Sequence, residues 1–177
     1  DNAQYVDYLL PVQGQGVRDN LGTYLPGKSK EGRALGAIGT SYFFRDPGGQ
    51  LDVTETLYHE VSHQLLFEVA GPDKYEANRS HFWVFEGLGT YFETLRPQPD
   101  GSLQIGGQVG KRMESAYERL IKNAEFIPIQ RITTMNKPLF DGRNGGDIFL
   151  HYAEAMALTV FFMQAENGKY REAFLDY

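Results

Sequence analysis

The stretch His59-Glu60-Val61-Ser62-His63 decides how this chain folds and what chemistry it can carry. Its histidines stand at i and i+4, so on an α-helix both imidazoles leave one face, one turn apart. At that spacing two ring nitrogens reach a single metal ion, and the pattern is one used for zinc-dependent hydrolysis. Glu60 lies about 100° round the helix from His59, near enough to reach a water on such a metal without ligating it. The reading requires a helix, and the flanking residues supply one. Asp52 is a good N-cap, with Glu55 three residues on as in a capping box. A periodic stretch runs from 53 to about 69, and Ala70-Gly71-Pro72 carries the Gly and Pro of a C-terminus. Leu57, Val61, Leu65 and Val69 form an aliphatic stripe roughly opposite His59, Glu60 and His63. The expectation is a helix packed on that stripe with its His-Glu-His face on a cleft floor. The plain alternative is a surface helix with two incidental histidines.

Two histidines do not complete a catalytic metal site; a third protein ligand is needed, with water in the fourth position. The best candidate is Glu86, in Trp83-Val84-Phe85-Glu86-Gly87-Leu88-Gly89-Thr90-Tyr91-Phe92-Glu93. This segment reads as a second helix, ended near Leu95 by Arg96-Pro97. Val84, Leu88, Tyr91 and Leu95 make its apolar stripe, and Glu86, Thr90 and Glu93 share the far side. Gly87 and Gly89 each cost about 1 kcal/mol of helix propensity relative to Ala. Such a cost is tolerable where another backbone packs closely, and the His-bearing helix is the expected neighbour. The rivals for third ligand are Glu68, Glu76, His81 and Glu93, with His81 next after Glu86. Glu68 is about 140° from His63 on the same helix and points elsewhere.

Together the segments at 59–63 and 83–93 resemble the gluzincin metallopeptidases. The second follows that group's W-x-x-E-G-x-A-x-Y-x-E pattern, with Gly89 where Ala is usual. The closer likeness is to bacterial peptidase-MA-like domains, including the DUF1570 type, and extends from about Arg33 to the C-terminus. The resemblance implies an α+β, zincin-like (thermolysin-like) domain: a small N-terminal β-sheet, the active-site helix, then a mainly helical part. It implies one zinc ion held by His59, His63 and Glu86, a peptide or protein substrate, and an extracytoplasmic or secreted location. It also directs attention to Tyr152, because related enzymes carry an oxyanion-binding phenol at the start of a later helix. The segment Phe149-Leu150-His151-Tyr152-Ala153-Glu154-Ala155-Met156-Ala157-Leu158 fits that description.

Read from the residues alone, the helix at about 147–164 is apolar on nearly all sides and is expected to be buried. It is too short for a membrane span and carries His and Glu. A buried Tyr152 hydroxyl needs a partner, which is either substrate or a backbone carbonyl. His151, about 100° away, reads as structural.

Composition fits one domain spanning residues 1–177, whose first strands are expected to lie outside this chain. Hydrophobic residues make up 41% of 177, enough for one real core. A net charge of −6 and an isoelectric point near 5.2 argue against a nucleic-acid partner. No apolar run approaches the ~18 residues of a transmembrane helix. Cysteine is absent, so Cys-type zinc sites are excluded. Oligomeric state is not legible from the sequence.

Ahead of the motif, residues 1–10 read as a short helix and 13–29 as a Gly-rich loop. Residues 33–38 and 39–45 read as strands, with a turn at Asp46-Pro47-Gly48-Gly49. A strand there is either an edge that pairs with extended substrate, eased by Gly36 and Gly39, or an ordinary hairpin. After the second helix, 97–107 reads as a turn-rich connection with Pro99-Asp100-Gly101-Ser102 at its tip. Residues 111–126 read as an amphipathic helix whose charged face is plain solvated surface, and 128–147 as loop.

The expected chemistry is peptide hydrolysis by a metal-activated water. Glu60 is the general base, zinc and Tyr152 stabilise the oxyanion, and Glu93 orients a ligand or lies on the surface. Gly39 stands where related aminopeptidases place an amine-binding Glu in a G-A-M-E-N strand, so an endopeptidase is favoured. The alternatives are a zinc-fold binding module without turnover and a metal-dependent hydrolase of a non-peptide substrate.

Overall fold

The computed structural model describes residues 1–27, 39–45, 52–70, 81–107, 110–143 and 145–177. The strand expected at 33–38, the Asp46-Pro47-Gly48-Gly49 turn, the Gly71-Pro72 stop and Glu76 lie outside these residues. The chain is a mixed α+β protein, mostly helical with two small sheets among the described residues. It forms two compact units, Asp1–Lys74 and Tyr75–Tyr177.

The first unit opens with helix α1, Asn2–Gln13. Asp1 caps it by accepting from the Gln4 backbone N–H at 3.0 Å, and the Gln4 side chain reaches back in a full capping box. Gly14, at a φ of 75° that favours glycine, ends the helix and passes the chain into a 3₁₀ turn, Gln15–Asp19. Strand β1, Gly22–Leu25, follows. Among the described residues, the stretch expected as a Gly-rich loop is thus a 3₁₀ turn and a strand, because Val17, Leu21 and Leu25 have a core to enter. Strand β2, Thr40–Phe43, pairs antiparallel with β1, Gly22 opposite Phe43 and Leu25 opposite Thr40. Tyr5, Val6, Leu9, Val17, Leu21, Leu25 and Phe44 form the core between α1 and the sheet. Fully burying an aliphatic side chain such as Leu9, at 0% exposure, contributes about 1.5–3 kcal/mol.

Helix α2, Val53–Ala70, packs on both strands. Asp52 caps it through Oδ1, which accepts from the Thr54 N–H at 2.7 Å. Its orientation reverses the expectation. The aliphatic stripe faces outward, with Val61 44%, Leu65 53% and Val69 78% exposed, while His59, Ser62 and His63 are buried. Gly22 explains how α2 approaches the sheet. A Cβ there would stand 2.8 Å from Thr56 Cγ2 and 3.1 Å from Glu60 Cγ, so only glycine admits the helix at this depth. Close approach had been expected at Gly36 and Gly39. Gly36 is outside the described residues, and Gly39 has a φ of 105° and lies beside Tyr24 and Glu68.

The second unit begins with helix α3, Phe82–Phe92. Strands β3, Arg96–Pro97, and β4, Leu103–Gln104, make a small hairpin whose tip is held by Asp100 Oδ1, which accepts from the Ser102 N–H at 2.9 Å. Helix α4, Lys111–Ala116, continues as a π-helical turn, Tyr117–Lys122. This replaces the single helix expected at 111–126. Arg119 is hydrogen-bonded to both Glu125 and Asp147, Ala124 has a positive φ of 52°, and the last residues of that stretch leave the helix. The loop expected at 128–147 contains two short helices, α5 (Ile129–Ile132) and α6 (Lys137–Phe140).

Helix α7, Ile148–Gly168, is capped by Asp147, whose Oδ1 accepts from Phe149 and Leu150. Its backbone leaves helical geometry at Ala165, Glu166 and Asn167, close to where the sequence pattern ends. Helix α8, Arg171–Asp176, closes the unit. By length and composition α7 would suit a membrane, but its buried His151 and Glu154 and its packing on α3 are those of a core helix. It is not buried all round: Phe149 is 66% and Phe161 50% exposed.

The α3–α7 contact is the centre of the second unit, and Gly87 makes it possible. A Cβ at Gly87 would stand 2.8 Å from the Ala155 carbonyl oxygen and would collide with the Thr159 hydroxyl. The close partner of this glycine is α7, where the His-bearing helix had been expected. Trp83 stacks on Phe174 at 5.8 Å, and Phe174 on Phe162 at 5.3 Å, binding α8 over the start of α3.

Candidate functional site

Within the first unit, α2 holds His59 and His63 on one buried face. Their rings meet edge to face, with centroids 4.5 Å apart, as the i, i+4 spacing requires. The hydroxyl of Ser62 donates to the His59 carbonyl at 2.7 Å, a bond within the same turn. Glu60 is half-buried and lies over β1 at Gly22. The hydroxyl of Ser41 on β2 shares its one proton between Gln64 Oε1 at 3.1 Å and the Glu60 carbonyl at 3.4 Å, linking the strand to the helix. Tyr5, which donates to Asn20 Oδ1 at 2.9 Å, feels this site from below. Burial, and next the negative charge of Glu60, push its phenol above the usual range.

Within the second unit, α3 presents Glu86 and Thr90, with Glu93 as its C-cap, all buried. The pattern that set them apart from the apolar stripe is real, but both sides of the helix are covered. Thr90 is satisfied by the Gly87 carbonyl at 2.9 Å. Glu86 shares a side-chain hydrogen bond with Tyr152, which reaches it from α7. Burial first, and then the Glu86 carboxylate, push the Tyr152 phenol well above its ordinary range; the Arg112 guanidinium opposes them. The phenol therefore stays protonated and is a hydrogen-bond donor. Phe140 supports its ring edge-on at 5.3 Å.

Arg112 was missed by the sequence reading, which assigned its face of the helix to solvent. Its side chain is 35% exposed, its Nε lies 3.5 Å from Glu93 Oε2, and its guanidinium covers the Tyr152 ring at 4.5 Å. Two basic residues on that face, Arg112 and Arg119, are in fact engaged by other elements.

The remaining candidates take structural places. His81, the second choice for third ligand, sits at the head of α3 with φ 74°, and its Nδ1 is hydrogen-bonded to the Tyr177 hydroxyl. His151 is buried, with Nδ1 2.6 Å from the Phe140 carbonyl. The carbonyl accepts, so Nδ1 carries the proton and ties α7 to α6. Glu154 accepts from the Ile127 N–H at 2.7 Å, and burial pushes its carboxyl up. Glu68 accepts from Gln64 Nε2 at 3.2 Å, a bond along α2.

The arrangement defines a mixed α+β protein with two histidines on one helix and a carboxylate–phenol pair on two others. Residues 53–177 match the family described as "Protein of unknown function (DUF1570)", and the chain belongs to it. That match takes in both helix motifs and Tyr152. No curated protein and no solved structure matches the chain.

Proposed function

We propose that the chain is a zinc-dependent peptide hydrolase of zincin-like fold, acting within polypeptides. The observation that carries this reading is helix α2, whose two buried imidazoles converge on one face while Glu60, one residue on, stays half-exposed. Two imidazoles with a carboxylate are a donor set suited to zinc with an open fourth position. Glu86 is proposed as that carboxylate. It is buried, and a buried carboxylate is costly unless donors or a cation face it. When bound, zinc supplies a Lewis acid and lowers the pKa of a water toward neutrality.

The chain's own groups have the following roles. Glu60 takes the proton of the attacking water and delivers it to the leaving amine. Tyr152, kept protonated by burial, would turn its single O–H from Glu86 to the substrate oxygen that becomes negative in the tetrahedral intermediate. Glu93 holds its position through Arg112. The net charge of −6 suits a peptide better than a nucleic acid.

The test is hydrolysis of an unbiased peptide library by protein loaded with zinc, with and without chelator. Cleavage at internal bonds that stops on chelation and returns with zinc is the expected result. Zinc binding without cleavage of any peptide would replace this reading with a binding module.

A further inference from the structure

We propose that Arg112 is a positioning residue that fixes the Tyr152 phenol, an inference that rests on the role given to Tyr152 above. Three observations within the second unit carry it. The guanidinium carbon lies 4.5 Å from the centroid of the Tyr152 ring. The Nε of the same group lies 3.5 Å from Glu93 Oε2. The Tyr152 hydroxyl is hydrogen-bonded to Glu86, on the face of α3 that also carries Glu93. The planar cation is thus held between a carboxylate of α3 and an aromatic ring of α7, while it is itself rooted in α4.

The consequence is mechanical. A tyrosine side chain has two rotatable torsions, and its hydroxyl reaches one place only when its ring is confined. Phe140 confines the Tyr152 ring on one side, edge-on. Arg112 covers the face. Removing Arg112 opens that face, lets the ring turn, and lowers the fraction of time that the phenol spends where it can donate to substrate. Arginine suits this task better than lysine, because a planar delocalised cation stacks on a ring and a compact ammonium does not. An ordinary surface ion pair with Glu93 would contribute little to anything and nothing to Tyr152.

The test compares the zinc-loaded wild type with R112A, R112K, Y152F and the double variant Y152F/R112A, each confirmed folded by circular dichroism. R112A is expected to lower kcat about 5- to 30-fold with KM within about 2-fold, as misplacement of a group acting in the transition state requires. R112K falls between R112A and wild type. In the Y152F background, R112A is expected to cost no more than about 2-fold, because the two residues act as one unit. Multiplying losses in the double variant, a loss confined to KM, or R112A equal to wild type overturns the proposal.

A second readout does not depend on hydrolysis. In protein carrying 3-fluorotyrosine, the ¹⁹F resonance of Tyr152 is identified by its disappearance in Y152F. It is expected to shift and broaden in R112A, to return toward its place in R112K, and to stay still when the exposed neighbour is changed in K111A. A resonance unmoved in R112A overturns the contact and the proposal with it. Where the wild type cleaves no peptide, the hydrolase reading fails and the ¹⁹F result alone decides the role of Arg112; where it cleaves, the kinetic cycle decides.

Discussion

The Tyr152 hydroxyl of helix α7 is hydrogen-bonded to the Glu86 carboxylate of helix α3. These residues are far apart in sequence, and their meeting depends on the closeness of two helices at Gly87. The bond places a protonated phenol beside the acid proposed as third metal ligand. Under the proposed chemistry, Tyr152→Phe lowers kcat by about 10²- to 10³-fold, the usual cost of losing one oxyanion donor, with KM little changed. Were the phenol a packing group only, the variant would lose about 1 kcal/mol of stability and keep near-normal turnover. Steady-state kinetics and urea denaturation on one preparation separate the outcomes.

Protein purified without chelator is expected to carry about one zinc per chain, and His63→Ala or Glu86→Ala to lose it. Elemental analysis reads this directly. Full zinc occupancy in Glu86→Ala would remove Glu86 from the ligand set while leaving the histidines in place.

Glu60→Gln is expected to keep the metal and the fold, because Glu60 is assigned no ligand bond, and to lose nearly all hydrolysis. Equal cleavage by mutant and wild type would show that the base assignment is wrong.

Gly87→Ala tests the packing that brings Glu86 to Tyr152. Alanine is the better helix former by about 1 kcal/mol. Its Cβ, however, would stand 2.8 Å from the Ala155 carbonyl oxygen, and relieving such overpacking costs about 1–3 kcal/mol. The expected result is a net loss in urea denaturation. A stabilised variant would mean that α3 and α7 separate freely at this point.

Asp147 carries a pH dependence. The hydrogen bond from Arg119 holds its carboxyl down to about 2, against an ordinary 3.8. A depressed folded-state value means that the stabilisation is present above about pH 4 and is lost as pH falls through about 2. Asp147→Asn keeps a capping side chain and removes the charge, which isolates the ion pair. The side chain is about half exposed, so the wild-type advantage at pH 6 is expected to be below about 1 kcal/mol and to vanish near pH 2. A difference between the two proteins that does not change with pH would count against this origin.

The sequence by itself determined the helices that carry the candidate chemistry. The start of α2, the approximate span of α3, the shared face of His59 and His63, and the run of α7 to about Gln164 follow from local signals, chiefly caps and periodicity. These act within a few residues, so a linear reading captures them. The tertiary structure decided which face each helix buries and which residue meets which. The stripe Val61, Leu65 and Val69 is hydrophobic yet exposed, since burial depends on what the rest of the chain brings to a face. Arg112 looked like a solvated charge because no local rule foresees a carboxylate from α3 and a ring from α7 on either side of it. The π-helical turn at Tyr117–Lys122 ends where Arg119 finds Glu125 and, through a longer loop, Asp147. Gly87 showed in the sequence as a place of close packing, but with the wrong partner, and Gly22 was not singled out. Their value lies in the absent Cβ, and only the neighbour that occupies that space reveals it.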